Sequence, residues 1–206
     1  MNSDSIRLIV LRHAQTQWNR EGRYQGRTDI PLCSAGIEQA QAAGQALRHA
    51  GAHLVLSSPL TRARATAEVI CEVLGSNRCV IEDRLVELSF GEWEGLIQPE
   101  VKWRWPEQLR DWKRAPHVFR FPGGEQLSDA FDRLQDLLRH PPWTTGATPR
   151  CVIAVTHATP LRLAALCAEG RPLSEYRQVA VPAHGALEFD WDPRGRLRPL
   201  GVRPLN

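Results

Sequence analysis

The run IRLIVL, Ile6 to Leu11, is apolar at nearly every position. A strand with one wetted face alternates apolar and polar side chains, so a run without alternation suits a parallel strand covered on both faces. CVIAVT, Cys151 to Thr156, has the same character. Two such strands call for a mostly parallel central sheet with helices on either side, joined by right-handed crossovers. In sheets of this kind a functional site lies beyond the carboxyl ends of the strands.

The rest of the chain supplies the alternation. Ser34 reads as the N-cap of a helix over Ala35 to His49, with Ile37, Ala40, Gln41, Gly44 and Leu47 facing inward and Gly51 closing it. His53 to Leu56 reads as a second strand. Ser57-Ser58-Pro59 turns it into a helix that runs to about Leu74 with Pro59 in its first turn. Cys79 to Glu82 is a third strand, Glu125 to His140 and Pro160 to Ala168 are helices, and Val179 to Pro182, Ala186 to Trp191 and Leu197 to Val202 are closing strands. The fold class expected is α/β, a three-layer sandwich, in a single domain over 1–206. Residues 96–124 interrupt the pattern with tryptophans and prolines. They read as an excursion that forms a lid or pocket wall, with a helix over Pro99 to Lys113 that Pro106 interrupts or kinks.

Composition narrows the function classes. Hydrophobic residues make up 42% and charged residues 24%, as in ordinary globular proteins. No apolar run approaches bilayer length, and Met1 to Ser5 is polar with no secretory pattern, so no membrane partner and a cytoplasmic location are expected. The five cysteines, Cys33, Cys71, Cys79, Cys151 and Cys167, are odd in number, widely spaced and free of CxxC pairs, which argues against disulfides and a cysteine zinc site. Cys151 and Cys167 read as core thiols. The net charge of +3 is small and carried mainly by scattered arginines. It favours anionic ligands without indicating nucleic acid, for which there is no basic run.

Both apolar strands end in a histidine followed by alanine: Arg12-His13-Ala14 and Thr156-His157-Ala158. One histidine there is weak evidence, because a lone histidine is more often structural; two at matching positions, one preceded by arginine, point to a site. In SSPLTRARATAE, residues 57–68, a strand gives way to a helix start, which favours anions, and Arg62 adds a planar fork suited to phosphate oxygens. Arg64 reads as a solvated helix residue. ELSFGEWEG, residues 87–95, offers three carboxylates. Glu87 precedes the turn and is the best placed general acid, while Glu92 and Glu94 read as surface residues.

These blocks, together with QTQWNREGRYQGRTDIPLCSAG at residues 15–36 and THATPLR, resemble the histidine phosphatase superfamily, also called phosphoglycerate mutase-like, over most of the chain. Within it, the chain looks like the phosphatase branch that includes α-ribazole phosphatases and broad-specificity phosphatases. The resemblance implies that His13 is the nucleophile that becomes phosphohistidine. It implies that Arg12, Arg62 and His157 hold the phosphoryl oxygens, and that Glu87 protonates the leaving group. Asn19 matches a further phosphate contact, and Gln25 falls where related phosphatases place a substrate-facing side chain. A histidine nucleophile must be neutral, and neighbouring positive charge, with a charged His157 as one candidate source, would keep it so. The implied partner is a small phosphorylated substrate, with no cofactor and no metal. Two departures stand out: Ala14 and Ala158 replace the usual glycines, which makes a positive φ there unlikely. The alternatives are a phosphoglycerate mutase and a non-catalytic regulatory member. The oligomeric state stays open, a homodimer being one arrangement. Among the charges of the excursion, Lys102, Arg104, Arg110, Lys113 and Arg114, none is singled out. His184 reads as a residue outside the site.

Overall fold

The computed structural model describes residues 5–76, 78–144, 149–182 and 185–205. Its centre is a six-stranded sheet in the order β3-β2-β4-β1-β5-β6, comprising β1 (Ile6–Arg12), β2 (Leu54–Ser57), β3 (Cys79–Ile81), β4 (Cys151–Thr156), β5 (Gly185–Trp191) and β6 (Leu197–Pro204). The first four strands pair in parallel, and β5 and β6 add an antiparallel edge.

The apolar runs are explained by two cores. Leu8, Val10, Leu56, Val152 and Ala154 enter the core on one face, with Leu134 and Leu161. Ile9, Leu11, Val55, Ile153 and Val155 enter the core on the other, with Leu47, Ala63 and Ile70. Successive strand residues point to opposite faces, so only a strand buried twice over has both sets apolar.

The helices are α1 (Gln17–Glu21), α2 (Ser34–Leu47), α3 (Thr61–Leu74), α4 (Gln98–Arg104), α5 (Pro106–Arg114), α6 (Leu127–Arg139) and α7 (Ala158–Ala168). Several differ from the sequence expectation. The five-residue α1 falls where a loop was expected; Thr16 and Asn19 form a capping box that holds it. In α2, Ser34 is the first helical residue and Cys33 occupies the cap position without a side-chain bond. Its inward face is rotated from the expected one. Gly36, Ala40, Ala43, Gly44 and Leu47 are buried, whereas Ile37 and Gln41 are exposed. The reason is close approach: a Cβ on Gly36 would lie 2.1 Å from the Gln15 carbonyl oxygen. The helix thus leans on the loop that follows β1.

Pro59 precedes α3 instead of starting it, because the helix opens at Thr61, whose backbone N–H and hydroxyl both bond the Asp29 carboxylate. α6 begins at Leu127, after the expected Glu125, whose carboxylate bonds Ser89 N–H and the Arg27 and Arg133 guanidiniums. α7 begins two residues before Pro160, which sits in the first turn where a missing N–H costs nothing. Pro106 splits the excursion into α4 and α5, as its ring geometry requires. Val179–Pro182 is not a strand; it follows a 3-10 segment, Leu173–Gln178, and runs as irregular chain toward β5. His184 lies outside the described residues. Among the described residues, no helix is long and apolar enough to cross a membrane.

Candidate active site

β1 and β4 are neighbours in register, Arg12 beside Thr156, so the residue after each strand emerges at the same sheet edge. His13 N–H donates to the Thr156 carbonyl at 2.8 Å, which fixes this alignment. The two imidazoles, His13 and His157, lie with ring centroids 5.1 Å apart. His13 is only 6% exposed and His157 is fully buried.

The hydrogen bonds of His13 settle its tautomer. Nδ1 lies 2.7 Å from the Ala14 carbonyl oxygen, an acceptor, so Nδ1 carries the proton. On the other side Arg62 Nε–H donates to Nε2 at 3.2 Å, so Nε2 presents its lone pair. Burial, Arg12 and Arg62 together hold the imidazolium well below the usual histidine range. His157 is likewise pushed well down, by burial and then by His13, Arg62 and Arg12. The charged His157 entertained from the sequence is therefore overturned: the ring is neutral near pH 7. Its Nε2 pairs with Ser58 Oγ at 2.7 Å, and its Nδ1 is buried with no partner among the described residues.

Arg62 is fully buried at the start of α3. Beyond the bond to His13, it donates to the Thr28 carbonyl at 2.9 Å and the Gly26 carbonyl at 2.6 Å. Three of its five donors are thus occupied and the planar fork is locked, leaving two N–H groups. Arg12 ends β1, and its side chain has no hydrogen bond or ion pair among the described residues, although Glu87 faces it electrostatically. Glu87 is buried; its carboxylate accepts from Leu88 N–H at 2.8 Å and lies 3.5 Å from Thr159 N at the start of α7.

The structure thus brings together His13, Arg12, Arg62, His157 and Glu87, from β1, α3, the β4–α7 junction and the loop after β3. Asn19 lines the same cleft, but its Oδ1 serves as the capping partner of Thr16 N–H. Gln25 also lines it, with Oε1 accepting from the Thr16 hydroxyl at 3.0 Å. The cleft holds about 430 Å³ and is further walled by Tyr24, Phe90, Gln98, Trp112, Lys113, Ala158 and Arg177. A second, largely apolar cavity of about 410 Å³ backs onto the same strand end between β1 and α2. Neither alanine strains the backbone: no non-glycine residue has a positive φ among the described residues, and Ala158 is an ordinary first helical residue.

Glu92 is exposed and Arg64 makes only a long contact with Glu68, as read from the sequence. Glu94, half-buried, is not the freely solvated carboxylate that the sequence suggests. Its carboxylate accepts from the backbone N–H groups of Arg27, Thr28 and Phe90 and from the Thr28 hydroxyl, tying loop 25–28 to loop 88–90. A Cβ on Gly26, at φ +54°, would lie 2.0 Å from Glu94 Oε1, so that contact demands glycine. Ser58 and Thr66, which accepts from Ala14 N–H at 3.0 Å, were likewise missed. Small hydroxyl residues carry no periodicity that would single them out. Among the described residues, no group of three or more His, Cys, Asp and Glu could hold a metal ion.

Comparison with known proteins supplies the setting for this geometry. The chain is 36% identical over 177 residues to phosphoserine phosphatase 1 of Hydrogenobacter thermophilus, spanning 83% of this chain and 80% of that one. The solved structure of a mycobacterial glucosyl-3-phosphoglycerate phosphatase superposes with a TM-score of 0.80 at 26% identity, covering 97% of this chain and 98% of the other. The α-ribazole phosphatase of Shigella flexneri shares the fold at a TM-score of 0.85 and 24% identity, covering 97% of each chain. Residues 8–198 match the family model of the Histidine phosphatase superfamily (branch 1), and the chain belongs to that family.

Proposed function

We propose that the protein hydrolyses small phosphomonoesters through a phosphohistidine formed on His13, without a metal ion. The observation that carries this reading is the state of the His13 ring: Nδ1–H is bonded to Ala14 O, and Nε2 keeps its lone pair beside Arg62. A buried neutral imidazole with Nδ1–H anchored and Nε2 unprotonated is a prepared nucleophile once a phosphoryl group displaces the Arg62 Nε–H from Nε2.

In the first displacement Nε2 attacks phosphorus in line, and the ester oxygen leaves with a proton from Glu87. The Nδ1–H bond to Ala14 O stabilises the positive charge that the ring acquires. Arg12, the free donors of Arg62 and the unpartnered Nδ1 of His157 are available to the phosphoryl oxygens. Fixed donors of this kind are the electrostatic clamp that phosphoryl transfer requires, and two guanidiniums supply the positive charge that a metal would otherwise bring. In the second displacement Glu87, now ionised, takes a proton from water as its oxygen attacks the phosphohistidine and phosphate departs. The relatives named as phosphatases favour hydrolysis over the mutase alternative. A cytoplasmic setting belongs to the same proposal, supported by the cysteine usage of the sequence.

The test is to mix enzyme with p-nitrophenyl phosphate, quench in alkali and map the modified peptide by mass spectrometry. A phosphoryl group on His13 is expected, and it should be missing from His13→Ala along with turnover, a loss of several orders of magnitude. Full turnover by His13→Ala would refute the reading.

A further inference from the structure

The charges that line the cleft do not balance for a simple phosphomonoester. Its side chains include five cations, Arg12, Arg23, Arg62, Lys113 and Arg177, against one carboxylate, Glu87. Arg23 is already paired with Glu21 at 2.5 Å and lies 3.8 Å from Glu100. Arg12 and Arg62 flank His13 and, on the reading above, face the phosphoryl dianion. That leaves Lys113 and Arg177, neither of whose side chains has a hydrogen bond or ion pair among the described residues.

These two are brought to one rim by packing. Trp112, at the end of α5, meets Tyr176 of the 3-10 segment with ring centroids 5.9 Å apart. Both rings are buried, and the residue that follows each, Lys113 and Arg177, is exposed. Arg177 also lies near enough to Tyr24, another cleft residue, to favour its phenolate electrostatically. The other cations of α5 are spent elsewhere: Arg110 pairs with Glu107 and Arg114 with Asp111, each at 3.2 Å. Two unpaired cations, held on separate elements and converging on a cleft with no second acidic lining residue, suit an anion at the end of the substrate away from the phosphorus. A carboxylate matches the planar fork of arginine.

We propose that Lys113 and Arg177 form a carboxylate subsite, and that the preferred substrates are phosphomonoesters of hydroxy acids or amino acids. This rests on the phosphatase reading above. The test compares 3-phosphoglycerate with glycerol 3-phosphate, which differ only in a carboxylate against a hydroxymethyl group. The wild-type protein should favour the carboxylate by about tenfold or more in kcat/KM, mainly through KM. Arg177→Ala and Lys113→Ala should each reduce that ratio several-fold, and Arg177→Glu should reverse it. Because the measure is a ratio within one protein preparation, a partly unfolded variant does not imitate the effect. Equal rates on the two esters, or a preference that all three variants retain, would overturn the subsite and leave the phosphatase reading standing. Failure to hydrolyse any phosphomonoester would overturn both.

Discussion

His13 and His157 stand at the ends of adjacent parallel strands with their rings 5.1 Å apart, both neutral and both within the field of Arg12 and Arg62. Neither ring is held neutral by sequence context alone. Burial is the largest cause at each, and the guanidiniums add to it. The positive field that disfavours a proton on either ring favours a phosphoryl dianion, whose binding offsets that field. Several expectations follow from this arrangement and its supports.

The pH dependence has a definite sign. Both rings have folded-state affinities for protons well below the unfolded value of about 6.5, so the unfolded chain binds more protons in the window beneath it. Stability should therefore be unaffected by these rings above about pH 7 and should fall as pH drops below about 6.5, by up to about 1.4 kcal/mol per pH unit for each ring. Urea unfolding from pH 7.5 to 5 should show this loss, and His157→Asn should have a shallower slope. The acid limb of kcat/KM attributable to His13 should lie well below pH 6.5.

Glu87→Gln keeps the shape of the side chain and removes its titration. Hydrolysis of alkyl phosphates, whose leaving oxygen needs a proton, should fall by roughly 10²–10⁴. The kcat/KM for p-nitrophenyl phosphate, whose leaving group departs as the anion, should fall far less, since this ratio reports the first displacement and not the later base role of Glu87. Equal losses on both would show that Glu87 is not the proton donor.

Glu94→Ala removes the acceptor that joins loop 25–28 to loop 88–90 and leaves three backbone N–H groups without it. A stability loss of about 1–3 kcal/mol is expected. Arg62 donates to the carbonyls of Gly26 and Thr28, so loosening that loop should also lower kcat/KM by about tenfold. Denaturant titration and steady-state kinetics on the same preparation check the two effects together.

Dialysis against excess chelator should leave kcat and KM unchanged, since the two guanidiniums carry the positive charge at the reacting group. Loss of activity that magnesium or zinc restores would contradict the metal-free scheme.

The chain order alone made much of this legible. The doubly apolar runs at Ile6–Leu11 and Cys151–Thr156 required strands covered on both faces, and the histidine after each then fell at the same sheet edge. Both features are local, so residue order carries them: alternation, or its absence, is written into consecutive positions. What remained hidden was long-range. Glu94 looked like a solvated carboxylate until the turn at Gly26 brought backbone N–H groups onto it. Ile37 looked like a core residue until the contact of Gly36 with the Gln15 carbonyl set the rotation of α2. The neutral state of His157 and the convergence of Lys113 with Arg177 belong to the same class. Burial and charge proximity are sums over side chains far apart in sequence, and only the folded chain fixes those distances.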